Sequence, residues 1–131
     1  MSGIRRNKYN VSPSDQRQAI GRTFDSKMEK EYAERLQMLL EAGVIAEFSC
    51  QTTVHMLGCK ENKFKPDFLV IPAPEDGRFP YYVEVKGRET QQWKTHKKLW
   101  AEYGRLELVV VKKKGKEFVE TETITPKGLR L

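Results

Sequence analysis

The run Leu106-Glu107-Leu108-Val109-Val110-Val111 constrains this chain most. Apolar residues fill all of it except Glu107, so it reads as a strand near the centre of a sheet. Shorter strands surround it in the pattern. Phe68-Leu69-Val70-Ile71 follows Pro66, and Tyr81-Tyr82-Val83-Glu84-Val85-Lys86 alternates up to Gly87. Residues 44–57, rich in β-branched and aromatic types, predict one long strand with a bulge near Ser49-Cys50, and Phe118 to Ile124 predicts an edge strand. Gly58 to Lys65 and Pro72 to Gly77 carry turn chemistry. Two helices complete the α/β pattern. Ser26 caps the first (26–42), with Glu29 three residues on, and Met28, Tyr32, Ala33, Leu36, Leu39 and Leu40 form its apolar face up to the stop at Gly43. The second spans 90–103, with Trp93, Leu99 or Trp100, and Tyr103 inside, Lys94, Lys97 and Lys98 outside, and Gly104 at its end. The order is helix, three strands, helix, then one or two strands, and a chain of 131 residues has room for one domain.

Charge points to the class of partner. The chain holds 24 Lys+Arg against 18 Asp+Glu, a net +6. Residues 1–22 carry Arg5, Arg6, Lys8, Arg17 and Arg22 against Asp15 alone, and little to bury, so they read as a mobile basic arm or a solubilising tail; the folded domain is expected over 23–131. Arg88, Lys94, Lys97 and Lys98 form a second basic stretch, and Lys112, Lys113, Lys114 and Lys116 a third. Lys and Arg in such clusters displace the counterions of nucleic acid, which supplies most non-specific affinity. No apolar run reaches membrane-span length, so no membrane partner is expected. Met1 to Val11 lacks the apolar core of a secretory signal, so the expected location is the cytoplasm, with both cysteines reduced and no disulfide.

One constellation carries chemistry. Asp67 opens one strand, and Glu84 and Lys86 share a face of the next while Val85 points inward. A hairpin between these strands places Asp67 beside the pair. Two carboxylates about 4 Å apart repel by about 4 kcal/mol at an effective dielectric near 20, and a divalent cation reverses the sign. Hard carboxylate oxygens suit Mg²⁺, or Mn²⁺ in its place. Such a metal polarises a phosphoryl oxygen and acidifies water, while Lys86 positions the nucleophile or offsets transition-state charge; the Val85 carbonyl is a further candidate ligand.

Pro66-Asp67 followed by Glu84-Val85-Lys86, in an α-β-β-β-α-β order, resembles the PD-(D/E)XK nuclease superfamily over roughly residues 24–112. Within it the chain is most similar to small phage nucleases of the endonuclease I type, which resolve four-way (Holliday) junctions. The matching stretches are Asp25-Ser26-Lys27-Met28-Glu29, Lys65-Pro66-Asp67-Phe68-Leu69 and Tyr82-Val83-Glu84-Val85-Lys86-Gly87. The resemblance implies a restriction-endonuclease-like core, a mixed central sheet flanked by helices. It implies a site of Glu29, Asp67, Glu84 and Lys86, Mg²⁺-dependent cleavage of DNA, a homodimer, and a phage-encoded enzyme working in a bacterial host cell.

Each residue also has a plainer reading. Glu29 completes a capping box, with Glu31 and Glu34 as rival helix carboxylates; Asp67 makes an Asx-type turn; Glu84 and Lys86 form an exposed cross-strand pair. Cys50, His55, Cys59 and His96 lack paired zinc-ligand spacing. Gln51 falls near the site or on a surface strand, and Trp93 packs helix to sheet or stacks on a base. The expected activity is a metal-dependent endodeoxyribonuclease acting on structured or branched DNA. Arg5, Arg6, Lys8, Arg22, Arg88, Lys94, Lys97 and Lys98 would grip the backbone. A non-catalytic DNA-binding or assembly subunit is the rival from another class, and a nicking, exonucleolytic or transposon-end nuclease the rival within the same class.

Overall fold

A computed structural model describes residues 14–55 and 63–129, except for the side chains of Ser14, Asp15, Arg22 and His55. Arg5, Arg6, Lys8, Cys59 and most of the expected turn at 58–65 lie outside the described residues. Part of the stretch read as an arm is folded: Ser14–Arg17 is a 3₁₀ turn, and β1 (Gln18–Ala19) pairs with β2 (Arg22–Thr23). Arg17 explains why. Its guanidinium donates to the Phe24 carbonyl at 2.9 Å, and its own carbonyl accepts from the Phe24 N–H at 2.9 Å, so this cation braces the chain before the first helix.

Helix α1 (Lys27–Glu41) begins where the Glu29 N–H donates to Ser26 Oγ at 3.1 Å. It ends in a Schellman pair: the Gly43 N–H donates to the Leu40 carbonyl and the Val44 N–H to the Leu39 carbonyl, with Gly43 at φ 77°. The expected strand over 44–57 divides in two. β3 (Ile45–Cys50) stops at Gln51, whose φ of 52° turns the chain out of the sheet, and β4 (Val54–His55) pairs separately with β5 (Lys63–Phe64). The register shift in β3 lies between Ile45 and Glu47, not near Ser49-Cys50.

β6 (Phe68–Pro72), β7 (Tyr81–Val85), β8 (Glu107–Lys114) and β9 (Glu117–Ile124) join β3 in one sheet, in the order β3-β6-β7-β8-β9. Only the β7–β8 pair is parallel. That pairing requires a crossover, supplied by α2 (Gln91–Tyr103). β8 therefore lies inside the sheet, as its apolar run requires. The architecture is mixed α/β, with a helix on each face. Phe24, Tyr32, Ala33 and Leu36 pack on Phe68, Val70, Val83, Val85, Val109 and Val111 on the α1 side. Trp93, Trp100 and Phe64 pack on Leu108, Val110 and Ile124 on the α2 side. Alternation along β7 and β8 divides their side chains between the two cores.

The inner face of α2 is narrower than expected: Trp93 and Trp100 are buried, while Tyr103 is 44% exposed. Trp100 Nε1 donates to the Leu106 carbonyl at 2.9 Å, tying the helix end to the start of β8. Gly104 is needed there for space rather than for a left-handed turn, because a Cβ would stand 2.7 Å from Trp100 Nε1 and from the Trp100 carbonyl.

Candidate active site

The antiparallel β6–β7 register pairs Phe68 with Val83, so the preceding Asp67 falls opposite Glu84. Two hydrogen bonds lock them. The Val85 N–H donates to Asp67 Oδ2 at 2.8 Å, and the Asp67 N–H donates to Glu84 Oε1 at 3.2 Å. Lys86 Nζ lies 3.1 Å from Glu84 Oε2. Pairing with β8 continues one residue beyond Val85, since the Lys86 N–H donates to the Val111 carbonyl at 2.9 Å. Asp67 and Glu84 are 8% and 7% exposed, which excludes a turn-surface role for the first and a solvated cross-strand pair for the second. They are the only buried charged residues among those described.

Glu29 reaches this place from the first turn of α1. Its carboxyl feels Glu84 and is in contact with Gln51 and Asp67, and its Oε2 is buried with no hydrogen-bond partner. Only half of the capping box is present in the hydrogen bonds: Ser26 accepts from the Glu29 N–H, while the Glu29 side chain faces the acids. Burial, then the charges of Asp25 and Glu84, push the Glu29 pKa up to about 7. Burial also raises Asp67 well above the carboxylate range, reinforced by Glu84 and Glu29 and opposed by the Val85 N–H and Lys86. Glu84 is raised by burial, with Lys86 the main opposing influence. Three crowded acids with one ammonium cannot all ionise at low cost.

The rival helix carboxylates are accounted for elsewhere, Glu31 on Lys113 and Glu34 on Lys30. Gln51 joins the site. Its N–H donates to the Asp67 carbonyl at 2.9 Å and its Nε2 to Asp25 Oδ2 at 2.7 Å, and its left-handed backbone is local strain of the kind concentrated at functional sites. Asp25 is the acid that sequence reading missed as a member of the site. It precedes the Ser26 cap and so looks like a helix flank, and its place four residues before Glu29 was the available signal.

The donor set fits a hard divalent ion: clustered carboxylates with raised pKa values, one orphaned oxygen, and too little positive charge to balance them. Among the described residues, no three His, Cys, Asp or Glu side chains form a ready-made cage in this conformation. Asp67 and Glu84 oxygens are instead held by backbone N–H groups and Lys86. Cys50 is half-buried at the end of β3, and His96 packs against Phe64 with ring centroids 4.9 Å apart.

The expected cation set is redistributed. Arg88, Lys94 and Lys98 are exposed. Lys97 is engaged, 3.1 Å from Glu122 and 3.5 Å from Glu89. Trp93, 2% exposed, is too enclosed to stack on a base as positioned.

A mixed sheet with buried acids converging at the end of a β-hairpin defines an α/β protein with a candidate acidic site. The chain belongs to the family described as Protein of unknown function (DUF1064), whose model matches residues 6–118. No curated protein and no solved structure matches it. Among the described residues, no helix is long and apolar enough to cross a membrane.

Proposed function

We propose that this chain is a divalent-metal-dependent endodeoxyribonuclease acting on structured or branched DNA, with a PD-(D/E)XK-type site. The observation that carries the reading is the meeting of Glu29, Asp67, Glu84 and Lys86, from a helix and two strands, in a buried acidic cluster. Glu29, Asp67 and Glu84, with the Val85 carbonyl, would hold Mg²⁺ or Mn²⁺, which when bound supplies Lewis-acid polarisation of the phosphate. Lys86 places its positive charge beside Glu84, where it orients the attacking water and offsets charge growing on the phosphate. Backbone N–H groups hold Asp67 and Glu84 beside each other, Val85 N–H on Asp67 and Asp67 N–H on Glu84. Symmetric cutting of two strands needs two active sites, so the working unit under this reading is a homodimer.

The experiment is a panel of linear, nicked, flapped and four-way-junction DNA, each incubated with Mg²⁺ and with EDTA. Products dependent on Mg²⁺, most abundant on branched substrates, are expected. Preference for a linear end or a single nick would instead assign an exonuclease or nickase. Asp67 Oδ2 and both Glu84 oxygens are taken by backbone N–H groups and Lys86, and this favours one second reading, a DNA-binding subunit without catalysis. It requires salt-sensitive binding and no Mg²⁺-dependent product on any substrate.

The free cations can be ranked. Lys94→Ala and Lys98→Ala should each lower the slope of log affinity against log salt by about 1, as expected for a lost phosphate contact. Lys97→Ala should change that slope less and instead lower stability by about 0.5 kcal/mol, because its pairs are on the surface. Filter binding over a salt series in EDTA and thermal melts separate the two effects.

A further inference from the structure

Lys86 does not meet Glu84 alone. Its Nζ also stands 4.6 Å from the centroid of the Trp93 ring, on the face of the sheet that α2 covers. Trp93 is held from several sides. It is the third residue of α2, where its N–H donates to the capping Thr90 Oγ1 at 3.1 Å. Its ring lies 6.0 Å from that of Phe64 and belongs to the cluster of Trp100, Leu108 and Val110. Gly87-Arg88-Glu89-Thr90 is all that separates Lys86 from this helix, so the position of the ring is tied to the end of β7.

An ammonium has three donors, and Glu84 is the one acceptor in hydrogen-bond reach of Lys86 among the described residues. An aromatic face attracts the remaining charge, most effectively where water is scarce, and the Lys86 side chain is 20% exposed. With an aliphatic residue at position 93, the four-carbon stem would be free to swing the charge toward solvent. Lys97 also approaches this ring, at 6.0 Å, but its ammonium is taken by Glu122 and Glu89.

We propose that Trp93 is a positioning residue whose indole face holds the Lys86 ammonium against the acid cluster, so that α2 sets the lysine as much as β7 does. Its effect on cleavage rests on the nuclease reading; the contact itself does not. The contact is tested first by NMR, with neither metal nor DNA. The Lys86 ε-methylene signals should be displaced upfield by the ring in wild type and in Trp93→Phe, and lose that displacement in Trp93→Leu. If Trp93→Leu does not fold, Trp93→Met, whose unbranched side chain adapts better to an irregular gap, takes its place. Undisplaced signals in the wild type would overturn the proposal.

Single-turnover cleavage then reads the consequence. Trp93→Leu should slow it about tenfold with unchanged KM, and Trp93→Phe should restore it to within about threefold. In a Lys86→Met background the same Trp93→Leu change should cost less than about twofold, because the residue acts through the lysine. An equal loss in both backgrounds means Trp93 only supports the fold, and overturns the positioning role. A wild-type chain inert on every DNA with Mg²⁺ overturns the nuclease reading, and the NMR displacement then decides the contact alone.

Discussion

Asp67→Asn and Glu84→Gln should each lower Mg²⁺-dependent cleavage by about a thousandfold or more, while DNA affinity in EDTA stays at or above the wild-type value. Both changes keep an oxygen for the backbone N–H that the carboxylate now accepts, from Val85 or from Asp67 itself, so the local fold survives. Affinity holds because both acids are buried and neither is one of the exposed cations that would contact phosphate. The double variant should be no slower than the worse single one, since residues acting as a unit are not additive. Lys86→Ala should slow turnover strongly without removing metal binding. Single-turnover assays and DNA titrations check all of these; wild-type rates in both carboxylate variants would remove the cluster from the chemistry.

Stability should fall as pH rises through the weakly acidic range, and Mg²⁺ should restore it. The Glu29 pKa moves from an ordinary 4.5 to about 7 in the folded chain. Between those values the native state holds more protons than the unfolded state, so unfolding becomes easier as pH increases. Glu29 alone accounts for a loss on the order of 3 kcal/mol across that window. Asp67 and Glu84, also raised, act with the same sign. Thermal midpoints should therefore be higher near about pH 5 than near about pH 8, with Mg²⁺ stabilising at the higher pH and having little effect at the lower one. Glu29→Gln should raise the midpoint at high pH and flatten the curve. A curve unchanged by that substitution would show that Glu29 ionises without cost where it lies.

The parts legible in advance share a local cause. Ser26 and Gly43 bracket α1 through a side-chain cap and a left-handed glycine, features read from a few adjacent residues. The alternation Tyr82-Val83-Glu84-Val85-Lys86 places Glu84 and Lys86 on one face, and the apolar run at 106–111 requires an interior strand. The break at Gln51 was not legible, because residues 51–55 suit a strand and only pairing partners decide whether they join the main sheet or β5. Lys97 looked free for a similar reason: Glu122 approaches it from β9, 25 positions away.

From the sequence alone, the chain's helices, most of its strands and the identity of its acids and cations followed, because caps, periodicity and composition act over a few neighbouring residues. Only the tertiary structure decided that Glu29 turns into the cluster rather than back onto its cap, that Asp25 and Gln51 join it, and that Trp93 lies against Lys86. Those outcomes depend on burial and on through-space charge, which arise only once two strands and two helices have met.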